Sequence, residues 1–348
     1  MRTLCLPVLL ALAACGGAPS AADAGTDAGV DGGPPAFGSC AAGCSAPFAC
    51  DPASGLCKNH GVPRLSHAFV IVMENTSASD ITAASAPYLT GTLYPLGVQM
   101  LNYSAVTHPS LPNYIAMVGG DTFGITSDGP ANDPDHQVAA SHPDVASQFE
   151  AAGLTWHEYS ESQQTPCQLA DSGSDPNAFV SKHDPMPHFL ITQTSPSCAQ
   201  NDVSFEPEPG MPGLAADLAA GRFFDYVFIA PNLCGDGHDS CPTVASSPVG
   251  QQDLWLEKNL PVILQSPAYL EAGLVVVTWD ENDEFRQGPV PNQIPTIYLS
   301  PLLARAGGTN RTAYSHYSML STIEAGFGLP SLPAGNGHDD ALITDIWR

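Results

Sequence analysis

The sequence predicts an α/β protein: a mostly parallel central sheet sandwiched by helices and preceded by a small Cys-rich segment. Three observations predict it. Short apolar runs, rich in β-branched residues and too brief for helices, recur along the chain. Stretches with helical spacing, several ending at a glycine, separate them. The 348 residues are 43% apolar, enough to cover a sheet on both faces.

Residues 1–14 read as an export signal. Arg2 precedes an apolar run from Leu4 to Leu12, and Ala13 and Ala14 supply small residues for cleavage. The run is too short to span a membrane. Cys15 comes directly after and resembles a bacterial lipobox cysteine, so the expectation is an exported lipoprotein held at the outer membrane or cell surface by an N-terminal lipid. Residues 15–38, made almost wholly of Gly, Ala, Asp and Pro, have little to bury and predict a flexible acidic tether.

Residues 39–60 place Cys40, Cys44, Cys50 and Cys57 in a stretch too short to own a core. Export favours a disulfide knot over a zinc site, and three pairings remain open. Of the later cysteines, Cys234 and Cys241 are near enough to close a local loop, which leaves Cys167 with Cys198.

From Ser66 to Arg348 the pattern is that of one large domain. AFVIVM (68–73), YVFIA (226–230), LVVVTW (274–279) and TIYLS (296–300) read as buried strands. DVASQFEAAG (144–153) and GLAADLAAGR (213–222) read as helices that stop near a glycine. QQDLWLEKNLPVIL (251–264) reads as a helix broken by Pro261. SMLSTIEAGFG (318–328) aligns Met319, Leu320, Ile323 and Phe327 on one helical face.

The functional signal lies just past the strands. AFVIVM runs into Glu74-Asn75, YVFIA into Pro231-Asn232 and CGDGHD, and LVVVTW into Asp280-Glu281. In open α/β sheets ligands bind beyond the carboxyl ends of the strands, so these segments would deliver oxygen and imidazole groups to one edge. The overall charge narrows the ligand. Ten Lys and Arg against 35 Asp and Glu give a formal net charge of −25, which leaves no basic surface for a nucleic-acid backbone. An anionic substrate would have to draw positive charge from a metal ion or from protonated histidine.

Six ordered blocks carry a family resemblance: IVMENTS (71–77), THPSLPNYIAMVGGDTFGITSD (107–128), KHDP (182–185), FIAPNLCGDGHD (228–239), VVVTWDEND (275–283) and YSHYSMLSTIEAGFGLP (314–330). In this order they resemble the phosphoesterases that include bacterial phospholipases C and acid phosphatases, within the alkaline-phosphatase-like superfamily. The resemblance implies that Glu74, Asn75, Asp280 and Glu281 bind a divalent metal ion, and three carboxylates with an amide oxygen suit a hard cation. Calcium, magnesium, manganese and zinc all remain open.

The resemblance further implies a hydroxyl nucleophile and a phosphorylated Ser or Thr intermediate. Ser127, in the Gly-rich turn GITSDG, is the expected nucleophile, with Thr126 as its neighbour and rival. His108, His183 and His238 match the phosphate-contacting histidines, as acids and as donors to the substrate, with Asn232 beside them. In KHDP and GDGHD an Asp adjoins the His and would keep it charged, which suggests an acidic pH optimum. His316 could reach the site from a helix start, and Glu324 reads as structural.

The expected function is therefore a metal-dependent acid phosphatase acting on small phosphate monoesters. The alternatives are phospholipase C-type diester cleavage and a surface lipoprotein that binds phosphate or metal without turnover. A sulfatase is disfavoured, since the sequence lacks a Cys or Ser in a Pro/Arg-rich modification motif.

Overall fold

The computed structural model describes residues 37–208, 212–283, 291–332 and 341–348. The expected export signal, Cys15 as the expected lipid acceptor, and nearly all of the expected tether fall outside the described residues.

Eight strands form the central sheet: β1 (Ala68–Met73), β2 (Val98–Met100), β3 (Trp156–Ser160), β4 (Asp202–Ser204), β5 (Tyr226–Ala230), β6 (Leu274–Trp279), β7 (Thr296–Leu299) and β8 (Gly308–Asn310). Their order is β8-β2-β7-β6-β1-β5-β3-β4. The run β6-β1-β5-β3-β4 is parallel throughout, and β7 pairs antiparallel with both β6 and β2. Every residue of β1, β5 and β6 is buried, as strands covered on both faces must be. The expected mostly parallel sheet is thus present, and the four strands predicted from apolar runs are β1, β5, β6 and β7. The others were less visible because their residues do not alternate cleanly: β3 reads Trp-His-Glu-Tyr-Ser, yet all five are buried.

Among the described residues, six helices of six or more residues flank the sheet: α1 (Ser110–Gly119), α2 (Val145–Ala151), α3 (Gly213–Ala219), α4 (Pro248–Leu264), α5 (Pro267–Ala272) and α6 (His316–Phe327). Local chemistry sets their ends. Asp144 and Ser147 form a capping box at α2, and α6 stops at Gly328, whose φ of 73° glycine adopts without a side-chain penalty. One expectation is corrected at α4, which runs unbroken through Pro261 to Leu264. The missing N–H lies near the C-terminal turn, and the buried Leu260 and Ile263 hold that turn against the core. Helix α1 was not foreseen. All ten of its residues are buried, so it carries no polar face to betray its period.

The disulfides resolve the pairing that spacing left open in the knot, where Cys40 pairs with Cys50 and Cys44 with Cys57. Cys167–Cys198 and Cys234–Cys241 form as the sequence suggested. No helix of the described residues is long and apolar enough to cross a membrane.

Candidate active site

Register brings the acidic pairs together. In the ladder between β1 and β6, Met73 lies opposite Trp279, so Glu74 and Asp280 leave the sheet side by side. The Asp280 amide bonds to the Met73 carbonyl at 2.9 Å, and the Glu74 amide bonds to the Asp236 carbonyl, beyond β5, at 3.0 Å. Asn75 turns the chain with φ 49°, a left-handed conformation that Asn tolerates, and its amide donates to Asp280 Oδ1 at 3.1 Å. Glu281 accepts from Asn113 Nδ2 at 3.3 Å and faces His108 Nδ1 at 2.9 Å.

Glu74 and Asp280 are fully buried and Glu281 nearly so. Burial and the charges of Glu74 and Glu281 push the Asp280 carboxyl well above its ordinary range. Apart from the Ser110 hydroxyl, Asp280 Oδ2 meets no donor among the described residues. Three crowded carboxylates with an unmet buried oxygen fit a divalent cation.

The other side of Glu74 is basic. Its Oε1 lies 3.0 Å from His183 Nε2, while His183 Nδ1 lies 2.9 Å from Asp236 Oδ2. Burial works against charge on His183, but Glu74 and Asp236 prevail and hold its pKa up at about 9. His183 thus bridges Glu74 and Asp236 through its two ring nitrogens. Tyr114 of α1 stacks on this ring at 5.0 Å. The partner of His183 is therefore Asp236, across the sheet edge, and not the adjacent Asp184. At His238 the sequence neighbour does serve: Nδ1 lies 2.7 Å from Asp239 Oδ1.

Lys182, unremarked in the sequence, reaches the same place, with Nζ 2.8 Å from Asp128 Oδ2 and 3.2 Å from His238 Nε2. Burial opposes its charge, and the carboxylates of Glu74 and Asp128 hold it charged. His108, Lys182 and His238 keep part of their surface open, so three nitrogen donors face one crevice.

The hydroxyl in this crevice is Ser110. It opens α1 directly after Pro109, is 2% exposed, and donates to Glu74 Oε2 at 3.2 Å. Sequence reasoning passed over it, although a Ser at the first turn of an apolar helix after His-Pro was the available signal. A helix N-terminus favours negative charge on such an oxygen.

The two hydroxyls expected from sequence lie elsewhere. Thr126 and Ser127 are exposed on their turn. The Ser127 hydroxyl meets His136 Nε2 at 3.0 Å, and His136 Nδ1 faces Asp133 at 3.1 Å. This turn touches the crevice through the next residue, Asp128, which accepts the Leu111 amide at 2.9 Å. Asn232 also departs from expectation. Its side-chain oxygen caps its own loop, accepting from the Cys234 and Gly235 amides, and its Nδ2 donates to Ser162, so it shapes the loop. His316 donates Nε2–H to the Asp280 carbonyl at 2.9 Å, and burial keeps it neutral with a pKa down at about 4. Glu324 accepts the Leu332 amide, a structural role.

A family model described as the Phosphoesterase family matches residues 97–330, about two thirds of the chain. The chain belongs to the Phosphoesterase family. Among curated members, it is 32% identical over 289 residues to a phosphatidylinositol-3-phosphatase of Mycobacterium tuberculosis, covering 82% of this chain and 84% of that protein. It is 30% identical over 269 residues to a phosphate-repressible acid phosphatase of Penicillium chrysogenum, where 75% of this chain matches 59% of the fungal protein. The chain thus spans less than two thirds of the fungal relative's length.

Solved structures agree on the fold. A protein of the alkaline phosphatase superfamily from Vibrio parahaemolyticus superposes with a TM-score of 0.50 at 12% identity, over 80% of this chain and 71% of its own. A putative sulfatase from Bacteroides thetaiotaomicron does so at 0.52 and 12%, over 78% and 73%.

Proposed function

We propose that this protein is a phosphatase hydrolysing phosphate monoesters, with Ser110 as the nucleophile. The observation that carries the reading is the placement of Ser110. It is a helix-opening hydroxyl bonded to Glu74, with Asp280 and Glu281 on one side and His108, Lys182 and His238 on the other. Acid phosphatases and a lipid phosphomonoesterase among its relatives support the same chemistry. A mere binder of phosphate has no use for a hydroxyl so placed.

A divalent cation held by Glu74, Asp280 and Glu281, with the Asn75 side chain near, would make a hydroxyl more acidic and neutralise the phosphoryl charge. The all-oxygen donors favour a hard ion such as calcium, magnesium or manganese. The chain's own groups do the rest. Lys182 and His238 bind the non-bridging oxygens, and Asp128 and Asp239 hold those two donors in place. Ser110 Oγ forms a bond to phosphorus and passes its proton towards Glu74, as the bond to the alcohol oxygen breaks. His108 protonates the departing alcohol. Water then attacks the phosphoserine and releases inorganic phosphate with Ser110 restored.

Export and tethering by a lipid on Cys15 complete the proposal, and the four disulfides accord with an oxidising compartment. The test is a pH series on p-nitrophenyl phosphate, its bis ester and phosphatidylinositol 3-phosphate, with and without chelator. Monoester turnover that chelation removes is expected. Diester turnover alone would favour the phospholipase C-type reading, and no turnover with any added divalent ion would favour the binder.

A further inference from the structure

A second group of carboxylates lies under the His183 segment, outside the crevice. Glu158 of β3 and Asp202 of β4 stand opposite one another in parallel register, and Asp184 approaches them from the turn after His183. All three are 0% exposed. Among the described residues, no Lys, Arg or His forms an ion pair with any of them.

Each carboxylate is half satisfied. Glu158 Oε2 accepts the Met186 amide at 3.2 Å, Asp184 Oδ1 the Ser160 hydroxyl at 3.1 Å, and Asp202 Oδ1 the Gln163 amide at 2.9 Å. The second oxygen of each, Glu158 Oε1, Asp184 Oδ2 and Asp202 Oδ2, meets no donor outside the trio, whose carboxyls lie within hydrogen-bonding reach of one another through Asp184. Gln163, 1% exposed and fixed on Asp202 through its nitrogen, has an equally unmet carbonyl oxygen. One oxygen from each carboxylate falls within a set spanning no more than 4.8 Å. Oxygens that share a cation at 2.3–2.6 Å stand at most about 5 Å apart.

We propose that Glu158, Asp184 and Asp202, with the Gln163 carbonyl, form a second divalent-cation site that takes calcium and fastens the 181–186 segment to β3 and β4. Calcium is preferred to magnesium because the donors are buried carboxylate oxygens spread over as much as 4.8 Å, which its larger and more flexible shell tolerates, whereas magnesium demands a near-octahedral shell and keeps much of its water. Uncompensated, three buried negative charges would be strongly destabilising. The competing occupants are protons shared among the carboxyls, which burial would encourage.

The proposal is independent of the phosphatase reading and is tested by binding. In Asp280→Asn, which disables the crevice site, protein stripped with chelator and dialysed against calcium is analysed for bound metal and for Tm at pH 7. One calcium per chain and a rise in Tm of about 5 °C are expected. Absence of both overturns the proposal and assigns the cluster to protons. Adding Asp202→Asn should abolish the bound calcium and the rise. Calcium retained by the double variant would overturn the assignment to these residues. If the double variant does not fold, the single-variant measurement still decides.

Discussion

Two serines compete for the central role, and their surroundings separate them. Ser110 is buried against Glu74 at the start of α1, whereas Ser127 sits exposed on His136 and Asp133, with no nitrogen donors of the crevice beside it. Replacing Ser110 with Ala should lower kcat by about a thousandfold or more, and Ser127→Ala should leave it within about threefold. Steady-state kinetics on p-nitrophenyl phosphate, with circular dichroism to confirm folding, read the contrast. The acidic pairs at the strand ends were legible because each succeeds an apolar run that can only be a strand. The nucleophile was not, because a hydroxyl's neighbours come from distant segments: Glu74 reaches Ser110 only once β1 and α1 have packed.

Another residue sets a pH limit on stability. His157 is buried in β3, stacked on Phe224 with ring centroids 3.9 Å apart. Burial is the main cause that lowers its pKa to about 4. The unfolded chain takes up this proton near pH 6.5 and the native state only near 4, so native stability falls as pH drops through that window. His157→Gln should lose less stability over the same range, by roughly 3 kcal/mol at most. Urea unfolding of both proteins at pH 7 and pH 4.5 measures the difference, and parallel pH dependences would contradict it.

At the scale of elements, α4 aligns the strand ends through a single amide. Gln252 Nε2 donates to the carbonyls of Glu74 and Asp236, both at 2.8 Å, and its Oε1 accepts Trp279 Nε1–H at 3.1 Å. It thus joins the ends of β1 and β6 to the loop after β5. Gln252→Leu would leave two buried carbonyls and an indole N–H without these partners, and should cost about 3 kcal/mol. It should also lower kcat more than it raises KM, because the groups that move are those around Ser110; an unchanged kcat in a folded variant would contradict this. Nothing in the α4 sequence announces the role. Gln is common on helices, and only the topology puts this one beneath three strand ends. The strands β1, β5, β6 and β7 were readable as unbroken apolar runs, while β3 hid behind His157 and Glu158, polar residues that tertiary structure buries.

At the scale of the molecule, a protein with net charge −25 assembles a site for an anion. The parallel order β6-β1-β5-β3-β4 explains how: it brings the segments after β1, β5 and β6 to one edge, where Lys182 joins His108, His183 and His238. The fold class could be read from the alternation of strands and helices, and the clustered carboxylates from where the strands end. Lys182, Ser110 and Gln252 could not, since each acts through partners supplied by another part of the chain.

The most direct test of the account traps the enzyme during turnover. Protein mixed with radiolabelled phosphate monoester, quenched in acid and digested, should carry phosphoserine on the peptide that contains Ser110. Label on Thr126 or Ser127, or active enzyme that yields no labelled peptide, would contradict the account.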